Sequence, residues 1–397
     1  MSARIMHVDL DAFFVEVCRQ RRPELRDIPL LVVGGRRDSR GVVQSASYGA
    51  RRFGVRSGMP IAQAARLCPG ATFVQGTFAH YREASRAVRQ VLSRHAPAVV
   101  MASLDEGYLD FGGTDRLFPV SLLPAAEAIR DDIRRETGLA CSIGIGTSRM
   151  VAKLASDFAK PRGLCEVRAG WERGFLAGLP LGALPGIGPR ATAHLKSLGL
   201  EEVAQVQNMP EEELTRLIGP SARLLMRRAQ GLGSASLRPD RPVRSVSRET
   251  TLPRDSRDVG GLESLLLRFV GQVAADLRAK GLVARTVVLK LRHSDFRTIT
   301  RRRTLERPTD LDQELLAPLK QLLPAAFAEA ELRRQGIRLI GVAASGLEQA
   351  ASLDLFEPES RTRLRALARA VDVLRDQYGF DAVQPARTLR TAPRNRT

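Results

Sequence analysis

The sequence predicts a multidomain α/β protein whose C-terminal half contains a separate βαββαβ unit. The 397 residues suffice for roughly two to four domains, each with a core of its own. Strand-like and helix-like patterns alternate along the chain, and residues 232–243, rich in Gly, Ser and Pro, are expected to be a linker between domains. The hydrophobic content of 44% is that of a soluble globular protein.

Charge and cysteine content narrow the class of protein. A net charge of +19 favours a polyanionic partner, nucleic acid rather than a membrane surface, although the excess of Arg over Lys also fits a proteome that is basic throughout. The four cysteines show no C-x-x-C spacing, so neither a zinc site nor a disulfide framework is expected. The sequence has no signal peptide and no apolar run of about 18 residues, so we expect a cytoplasmic location and no membrane partner.

Two neighbouring acids, Asp105 and Glu106, lie between segments of strand-favouring residues within 101–111. We expect a hairpin here, with Gly107 forming the bend between its strands. Adjacent carboxylates repel each other unless a cation lies between them. A solvated turn is the commoner setting for an Asp-Glu pair, so a metal site is predicted only if a third acid lies nearby.

The first strand, over residues 4–10, supplies that third acid in Asp9. No basic residue follows Arg4 closely, so the partner of Asp9 is expected to be remote in sequence. If this strand lies beside the hairpin, Asp9, Asp105 and Glu106 converge. Three hard oxygen ligands on rigid strands suit Mg²⁺, and suit two Mg²⁺ ions together with substrate phosphates.

Two motifs, His7-Val-Asp-Leu-Asp-Ala-Phe-Phe14 and Ser103-Leu-Asp-Glu-Gly-Tyr-Leu-Asp110, resemble the catalytic motifs of the Y-family translesion DNA polymerases, most closely the bacterial DNA polymerase IV branch. The resemblance runs from about residue 4 to about residue 347. It implies a right-hand polymerase with palm, fingers and helical thumb, and a βαββαβ little finger. It also implies error-prone, template-directed translesion synthesis, in which two Mg²⁺ ions, or Mn²⁺ in their place, assist nucleotidyl transfer from a dNTP to a primer 3′-hydroxyl. We expect a monomer without proofreading that acts on primer–template DNA.

The same resemblance implies roles for the residues of the two motifs. Asp9, Asp105, Glu106 and the carbonyl of Leu10 are expected to hold the metal ions. Phe14 takes the place of the steric gate, whose ring would clash with the 2′-hydroxyl of a ribonucleotide. The implied domain boundaries are palm 1–11 and 76–165, fingers 12–75, thumb 166–231, linker 232–243, little finger 244–347 and a C-terminal segment 348–397.

In the fingers, a short helix is predicted at 48–53, on which Tyr48 and Arg51 share a face and together make a phosphate clamp. The segment 45–54 resembles the triphosphate-binding segment of the family. Gly49 stands where the family more often has an acid, and a looser helix is expected there. The nucleotide contacts that the resemblance implies are Phe13, Ser45, Tyr48, Arg51 and Lys160.

The remaining elements of the palm and fingers follow from their hydrophobic patterns. They are strands at 29–33, 41–47 and 139–147 and helices at 77–94, 121–136 and 150–159. Gly144 and Gly146, both within the last strand, allow another backbone to approach closely. Lys160 follows the last helix, where the helix dipole also favours an ordinary solvated lysine.

Residues 166–231 are predicted to be helical, with the loop Leu184-Pro-Gly-Ile-Gly-Pro189 preceding a helix at 190–198. Such a turn exposes backbone N–H groups beside a helix N-terminus, where they can bind a phosphate without reading sequence. It resembles the helix-hairpin-helix of the family's thumb, which implies DNA contacts for Gly186 and Gly188.

After the linker the predicted order of elements is βαββαβ. The strands are expected at 244–252, 283–292, 298–305 and 337–342 and the helices at 260–280 and 311–327. Alternating Arg and Thr are expected to place Arg297, Arg301 and Arg303 on one exposed sheet face that suits a phosphate backbone. Arg244 and Arg248, in the first strand, are also expected to contact DNA.

The segment Ser352-Leu-Asp-Leu-Phe356 resembles the clamp-binding pentapeptide of bacterial polymerases. It implies contacts of Leu353, Leu355 and Phe356 with a sliding clamp, although Ser352 stands where a Gln is expected. An amphipathic helix at 359–377 and a basic disordered tail are expected to follow.

Two other classes of protein stay open. One is a catalytically inactive Y-family-like protein that binds DNA and the clamp; the presence of all three acids disfavours it. The other is a different two-metal enzyme. The set Tyr48, Arg51 and Lys160 and the helix-hairpin-helix disfavour a nuclease, and the linker and the basic second unit disfavour a cyclase. The product distinguishes them: an extended primer, a shortened primer or a cyclic nucleotide.

Overall fold

The structure is a computed structural model that describes residues 3–237, 242–332, 335–350 and 358–386. It divides into two compact units, Met1–Pro239 and Asp240–Thr397. The division falls inside the stretch 232–243 that the sequence predicts as a linker. In the described part of the chain, no helix has the length and apolarity needed to cross a membrane.

The first unit contains two small sheets and a series of helices. Its strands are β1 (Ile5–Leu10), β2 (Leu31–Val33), β3 (Ser45–Ala46), β4 (Thr72–Val74), β5 (Ala98–Met101), β6 (Glu106–Asp110), β7 (Cys141–Gly146) and β8 (Leu164–Glu166). Its α-helices are α1 (Phe13–Arg21), α2 (Tyr48–Arg52), α3 (Ile61–Leu67), α4 (Phe78–His95), α5 (Leu123–Thr137), α6 (Arg149–Phe158), α7 (Glu172–Ala177), α8 (Pro189–Ser197), α9 (Val203–Gln207), α10 (Glu211–Ile218) and α11 (Ser221–Ala229).

The larger sheet has the strand order β5-β6-β1-β7-β8. The central strand β1 pairs antiparallel with β6 and β7 and is buried along its whole length. Its even-numbered residues pack against α1, α4 and α5 in the main hydrophobic core. Its odd-numbered residues, which include His7 and Asp9, lie on the face that α6 covers. The alternation of side chains along β1 therefore directs one buried acid toward α6.

The hairpin predicted around the acid pair forms, but Gly107 is not its bend. The turn occupies residues 102–105, and Gly107 pairs with Met101 inside the sheet. A Cβ atom at this position would come within 3.1 Å of the Met101 sulfur and 3.3 Å of Leu92. The glycine is thus required by side-chain packing against α4, and not by backbone curvature.

The glycines of β7 behave as predicted. A Cβ atom on Gly144 would lie 2.1 Å from the carbonyl oxygen of Ala152, and one on Gly146 would lie 2.7 Å from the side chain of Val151. Only residues without a side chain let α6 approach the strand this closely. The close approach matters because α6 carries Lys153, and leads into Lys160, beside the acids of the sheet.

The smaller sheet, in the order β3-β2-β4, packs with α2 and α3 around a separate core. The second predicted strand is reduced to Ser45–Ala46, and β4 completes the sheet by pairing parallel with β2. A Cβ atom on Gly49 would lie 2.6 Å from the Pro29 carbonyl oxygen. Gly49 therefore permits close packing of α2 against the segment before β2.

Helices α7 to α11 share a third core. The predicted loop precedes α8, where Gly186 has a φ of +89° and Gly188 is the N-terminal cap residue. A side chain at Gly186 would be strained by this backbone conformation and would also meet the guanidinium of Arg228 at 2.7 Å. The turn thus depends on glycine.

The second unit confirms the predicted βαββαβ order. Its elements are β9 (Ser245–Ser256), α12 (Val259–Ala279), β10 (Leu282–His293), β11 (Thr298–Thr309), α13 (Asp312–Leu332), β12 (Ile337–Gln349) and the additional helix α14 (Glu359–Tyr378). The antiparallel sheet has the order β11-β10-β12-β9, and α12 and α13 cover one of its faces. The opposite face is open within the described part of this unit.

The register of β11 corrects the predicted position of its arginines. Arg301 pairs with Leu289 and Arg303 with Val287, and both partners belong to the core beneath the helices. Directly opposed residues of an antiparallel pair share a face, so Arg301 and Arg303 lie on the helix-covered side of this edge strand. The open face instead receives Arg302. Arg301 and Arg303 share a face and are exposed, as predicted, but this face is the helix side of the sheet and not its open side, because residues 299 to 305 alternate in the opposite phase to the one assumed.

Helix α14 packs on the helical layer of the second unit. Arg278 of α12 forms two hydrogen bonds with Asp372 of α14, at 2.6 and 2.9 Å, and a third with Asp312 at 2.9 Å. Arg361 bonds Glu314 of α13 in the same two-pronged way, at 2.9 and 3.1 Å. Paired guanidinium–carboxylate contacts fix orientation as well as distance.

Candidate active site

Asp9 stands at the end of β1, 7% exposed, and its partner is remote in sequence as predicted. The ammonium group of Lys160 lies 2.8 Å from Asp9 Oδ2 and 2.7 Å from Asp157 Oδ1. Burial raises the pKa of Asp9 to about 6, and the charge of Lys160 only partly opposes this effect. A buried carboxylate in this condition is a favourable site for additional positive charge.

Glu106 faces Asp9 directly across the β1–β6 pair. Its carboxylate oxygens have different neighbours: Oε1 accepts a hydrogen bond of 2.6 Å from Lys153, and Oε2 lies 3.7 Å from His7 Nε2. His7 and Lys153 together lower the pKa of Glu106 to about 2, against the effect of burial. The pKa of His7 is itself lowered by burial. Glu106 is therefore ionised throughout the physiological range.

Asp105 belongs to the hairpin turn and is partly exposed. Its carboxylate accepts a hydrogen bond from the Ser103 hydroxyl, and its carbonyl oxygen accepts one of 2.9 Å from the N–H of Leu10. The second contact ties the turn to the end of β1. The backbone thus brings Asp9, Asp105 and Glu106 to one edge of the sheet, as the sequence predicted on the condition that these strands are neighbours.

The three acids and the predicted nucleotide-binding residues line one cavity of about 570 Å³. The predicted residues in its wall are Asp9, Leu10, Phe13, Phe14, Ser45, Tyr48, Arg51, Asp105, Glu106 and Lys160. Gln44 also lines it, as do Arg56 and Ser57, which begin a segment, Arg56–Ile61, that resembles the family's loop over the base pair. The lining thus combines carboxylates with Arg51, Arg56 and Lys160, which suits a ligand that carries both phosphates and metal ions.

The carboxylate oxygens of the three acids are the kind of ligand that a divalent cation prefers, but these oxygens are not gathered around one point. As they stand, no three His, Cys, Asp or Glu side chains among the described residues are close enough together to hold a metal ion. The oxygens of Asp9 and Glu106 are instead bound by the ammonium groups of Lys160 and Lys153. Both carboxylates therefore already bind a positive charge at this site.

On the cationic side, the Arg51 guanidinium lies over the ring of Tyr48, 4.9 Å from its centroid, so the shared helix face is confirmed. The Tyr48 hydroxyl donates a hydrogen bond of 2.8 Å to Asp11, and Arg51 Nε donates one of 2.9 Å to the Ala46 carbonyl. These contacts orient both side chains toward the cavity.

The aromatic wall is formed by adjacent phenylalanines with different surroundings. Phe14 is partly exposed and stacks on Tyr81, with 4.1 Å between ring centroids and 22° between planes. Tyr81 is fully buried, and its hydroxyl lies 3.4 Å from the Cys18 sulfur. Phe13 is only 2% exposed and belongs to the main core. Of the two rings, Phe14 is the one held in place at the cavity surface.

Three residues that the sequence analysis did not assign contribute to this site. Asp11, 4% exposed, accepts hydrogen bonds from the hydroxyls of Tyr48 and Ser142 and from the N–H of Arg162. Its signal in the sequence was an acid among apolar neighbours, which requires several donors. Lys153 and His7 contact Glu106. The signal for Lys153 was its position seven residues, or two helical turns, before Lys160.

The other predicted contact residues are not among those that line this cavity. Gly186 and Gly188 are in the loop before α8. In the second unit, Arg248 bonds Asp276 of α12 at 2.5 Å, Arg244 precedes β9, and Arg297 is in the turn between β10 and β11. Leu353, Leu355 and Phe356, together with Ser352, lie outside the described residues.

Family models, similar sequences and similar solved structures all indicate the same protein family. A family model described as impB/mucB/samB family matches residues 8–157, and one described as its C-terminal domain matches residues 243–355. A DNA polymerase IV of Dehalococcoides mccartyi (strain CBDB1) is 40% identical to this chain over 98% of both chains. A DNA polymerase IV of Caulobacter vibrioides is 36% identical over 97% of this chain and 94% of its own. Among solved structures, a Y-family DNA polymerase chimera of Dbh and Dpo4 aligns with a TM-score of 0.72 at 25% identity, covering 86% of this chain and 98% of its own.

Proposed function

This chain belongs to the impB/mucB/samB family as a Y-family DNA-directed DNA polymerase of the DNA polymerase IV branch, and on this basis we propose that it extends primers across damaged template DNA with frequent errors and without proofreading. The right-hand architecture with a little finger, predicted from the motifs, is that of the Y-family structures it matches. One observation carries the detailed proposal: the acids, the gate ring and the triphosphate-binding set line a single cavity.

The acids would hold the divalent cations that polymerases of this kind generally use. We assign two Mg²⁺ ions, with Mn²⁺ able to replace them, to Asp9, Asp105, Glu106 and the carbonyl of Leu10. When bound, such ions would supply charge stabilisation to the attacking and leaving oxygens of nucleotidyl transfer. Hard carboxylate oxygens that already bind ammonium groups support this assignment.

The side chains of this chain would bind and orient the nucleotide. Tyr48 and Arg51, fixed against each other, would bind the triphosphate, and Lys160, which lines the same cavity, would neutralise part of its charge. Ser45 also lines the cavity and offers a hydroxyl donor. Phe14 would lie under the sugar, where its ring leaves no room for a 2′-hydroxyl.

The remaining assignments are part of the same proposal. The palm, fingers, thumb and little finger take the boundaries given above, and the protein acts as a monomer on primer–template DNA, with dNTPs as substrates. Gly186 and Gly188 would bind a backbone phosphate through N–H groups. A sliding clamp would bind the segment that contains Leu355 and Phe356. A cytoplasmic location is proposed because chromosomal DNA lies there in bacteria such as those of the relatives.

Primer extension tests the proposal. The wild-type protein is expected to extend a primer on undamaged template with Mg²⁺ and dNTPs, in short distributive steps, and an Asp105→Ala/Glu106→Ala variant is expected to bind the same DNA without extending it. Extension should then continue past a template lesion in the wild type. Tight DNA binding without extension by either protein would support an inactive DNA-binding accessory protein instead.

A further inference from the structure

Lys153 is an ion-pair partner of Glu106 to which no role has been assigned. Its ammonium group lies 2.6 Å from Glu106 Oε1, and both side chains are mostly shielded from solvent, at 26% and 28% exposed. Lys160 occupies the corresponding position on Asp9, at 2.8 Å. Each of the two facing carboxylates of β1 and β6 is thus bound by its own lysine.

The backbone around Lys153 is held firmly. Helix α6 is capped by Ser148, whose hydroxyl accepts a hydrogen bond from the N–H of Val151. The Lys153 carbonyl accepts one of 2.7 Å from the Ser156 hydroxyl, which also lies 2.7 Å from His7 Nδ1. Close packing of α6 on Gly144 fixes the helix against the sheet. Lys153 therefore projects from a rigid element toward Glu106, unlike a lysine on a solvated helix face.

An ammonium group at this position has two consequences for Glu106. It holds the carboxylate by one oxygen, so that Oε2 keeps a defined orientation beside His7. It also neutralises the negative charge of Glu106. A divalent cation would then bind this carboxylate more weakly, because the ammonium group repels a second positive charge within a few ångströms. Orientation and competition come from the same contact.

We propose that Lys153 is a positioning residue that occupies Glu106 as a resident cation and thereby sets the affinity of the substrate-free protein for divalent metal. The inference rests on the proposed metal-binding role of Glu106. It predicts that the metal affinity of the protein alone is kept weak until DNA and nucleotide supply further ligands. Removing the charge of Lys153 would make metal binding tighter, whereas a lysine with only a structural role would leave it unchanged or weaken it.

The experiment measures Mn²⁺ binding to the full chain without DNA or nucleotide, by electron paramagnetic resonance. Lys153→Met is expected to lower the Kd for Mn²⁺ about tenfold, the value of one charge-assisted hydrogen bond. Lys153→Gln, which keeps an N–H donor but no charge, should also lower the Kd for Mn²⁺. This second variant keeps the test valid if Lys153→Met fails to fold. Lys153→Arg keeps the charge and should retain the wild-type Kd.

A matched control is Lys196→Met, which removes an exposed lysine paired with Glu201 at 3.0 Å, away from the cavity. Its Kd should equal that of the wild type. An unchanged or higher Kd in both Lys153→Met and Lys153→Gln would overturn the role of Lys153 alone. Equal Mn²⁺ binding by the wild type and Asp105→Ala/Glu106→Ala would overturn the metal site, and this inference with it.

Discussion

The Tyr48 hydroxyl donates a 2.8 Å hydrogen bond to Asp11, which joins helix α2 to the turn directly after β1. Asp11 is also bound by the hydroxyl of Ser142 on β7 and by the N–H of Arg162 after α6. One buried carboxylate therefore connects the proposed triphosphate-binding helix to strand β7 and to the loop after α6. The two halves of the proposed site are held together by this residue, which lies two positions after Asp9.

Substitutions at the two ends of this hydrogen bond should have unequal effects on stability. Tyr48→Phe removes one donor, so we expect the free energy of unfolding to fall by about 1 kcal/mol. Asp11→Ala leaves the Ser142 hydroxyl and the Arg162 N–H without their acceptor, and a loss of about 3 kcal/mol is expected. Urea denaturation measures both. Equal losses would show that Asp11 serves Tyr48 alone.

Phe14→Ala should admit ribonucleotides while DNA synthesis continues. The ring is fixed by stacking on the buried Tyr81, so its removal opens space at the cavity wall without displacing the core. We expect the ratio of kcat/KM for dNTP to that for rNTP to fall by at least about tenfold. Phe78→Ala is the matched control, because Phe78 is 49% exposed and touches Phe14 only at its edge. If the Phe14→Ala variant selected dNTP over rNTP as strongly as the wild type, Phe14 would not be the steric gate.

The open face of the sheet in the second unit is the surface proposed to meet the DNA backbone. Arg302 pairs with Val288 on that face, while Arg301, its neighbour, lies on the helix-covered side. Arg302→Ala should therefore reduce the slope of log K against log salt by about 0.9, the value of one lost phosphate contact. Arg301→Ala should change the slope less. Fluorescence anisotropy at several salt concentrations measures both, and the reverse order would place DNA on the other side of β11.

The proposed clamp contact predicts that stimulation by the clamp can be lost without loss of primer extension. Replacing Leu355 and Phe356 by Ala should leave distributive primer extension intact and reduce stimulation by a sliding clamp, because the apolar side chains that would enter the clamp are removed. Extension with and without the clamp is the measurement. Ser352→Gln restores the residue expected in the pentapeptide and should strengthen the stimulation. Full stimulation of the double variant would place the clamp contact elsewhere.

Local patterns were sufficient for the type and order of the elements. Apolar periodicity located the central strand, the hairpin and the βαββαβ unit, and the spacing of Tyr48 and Arg51 predicted their shared helix face. The same patterns failed where the phase of a strand had to be known. Gly107 was taken for a bend and Arg301 for an open-face residue, and the observed register contradicts both.

By itself, the sequence predicted which residues would carry the chemistry of this protein: the three acids, Phe14 as the gate ring and the triphosphate-binding set, all of which line one cavity. Only the tertiary structure decided which cation binds which acid, since Lys153 meets Glu106 and Lys160 meets Asp9 across long stretches of chain. It also revealed that Asp11 connects Tyr48 to the sheet. The reason is physical: helix and strand periodicity is a property of neighbouring residues, whereas the partner of a buried charge is set by strand register and by how closely a helix can pack on the sheet.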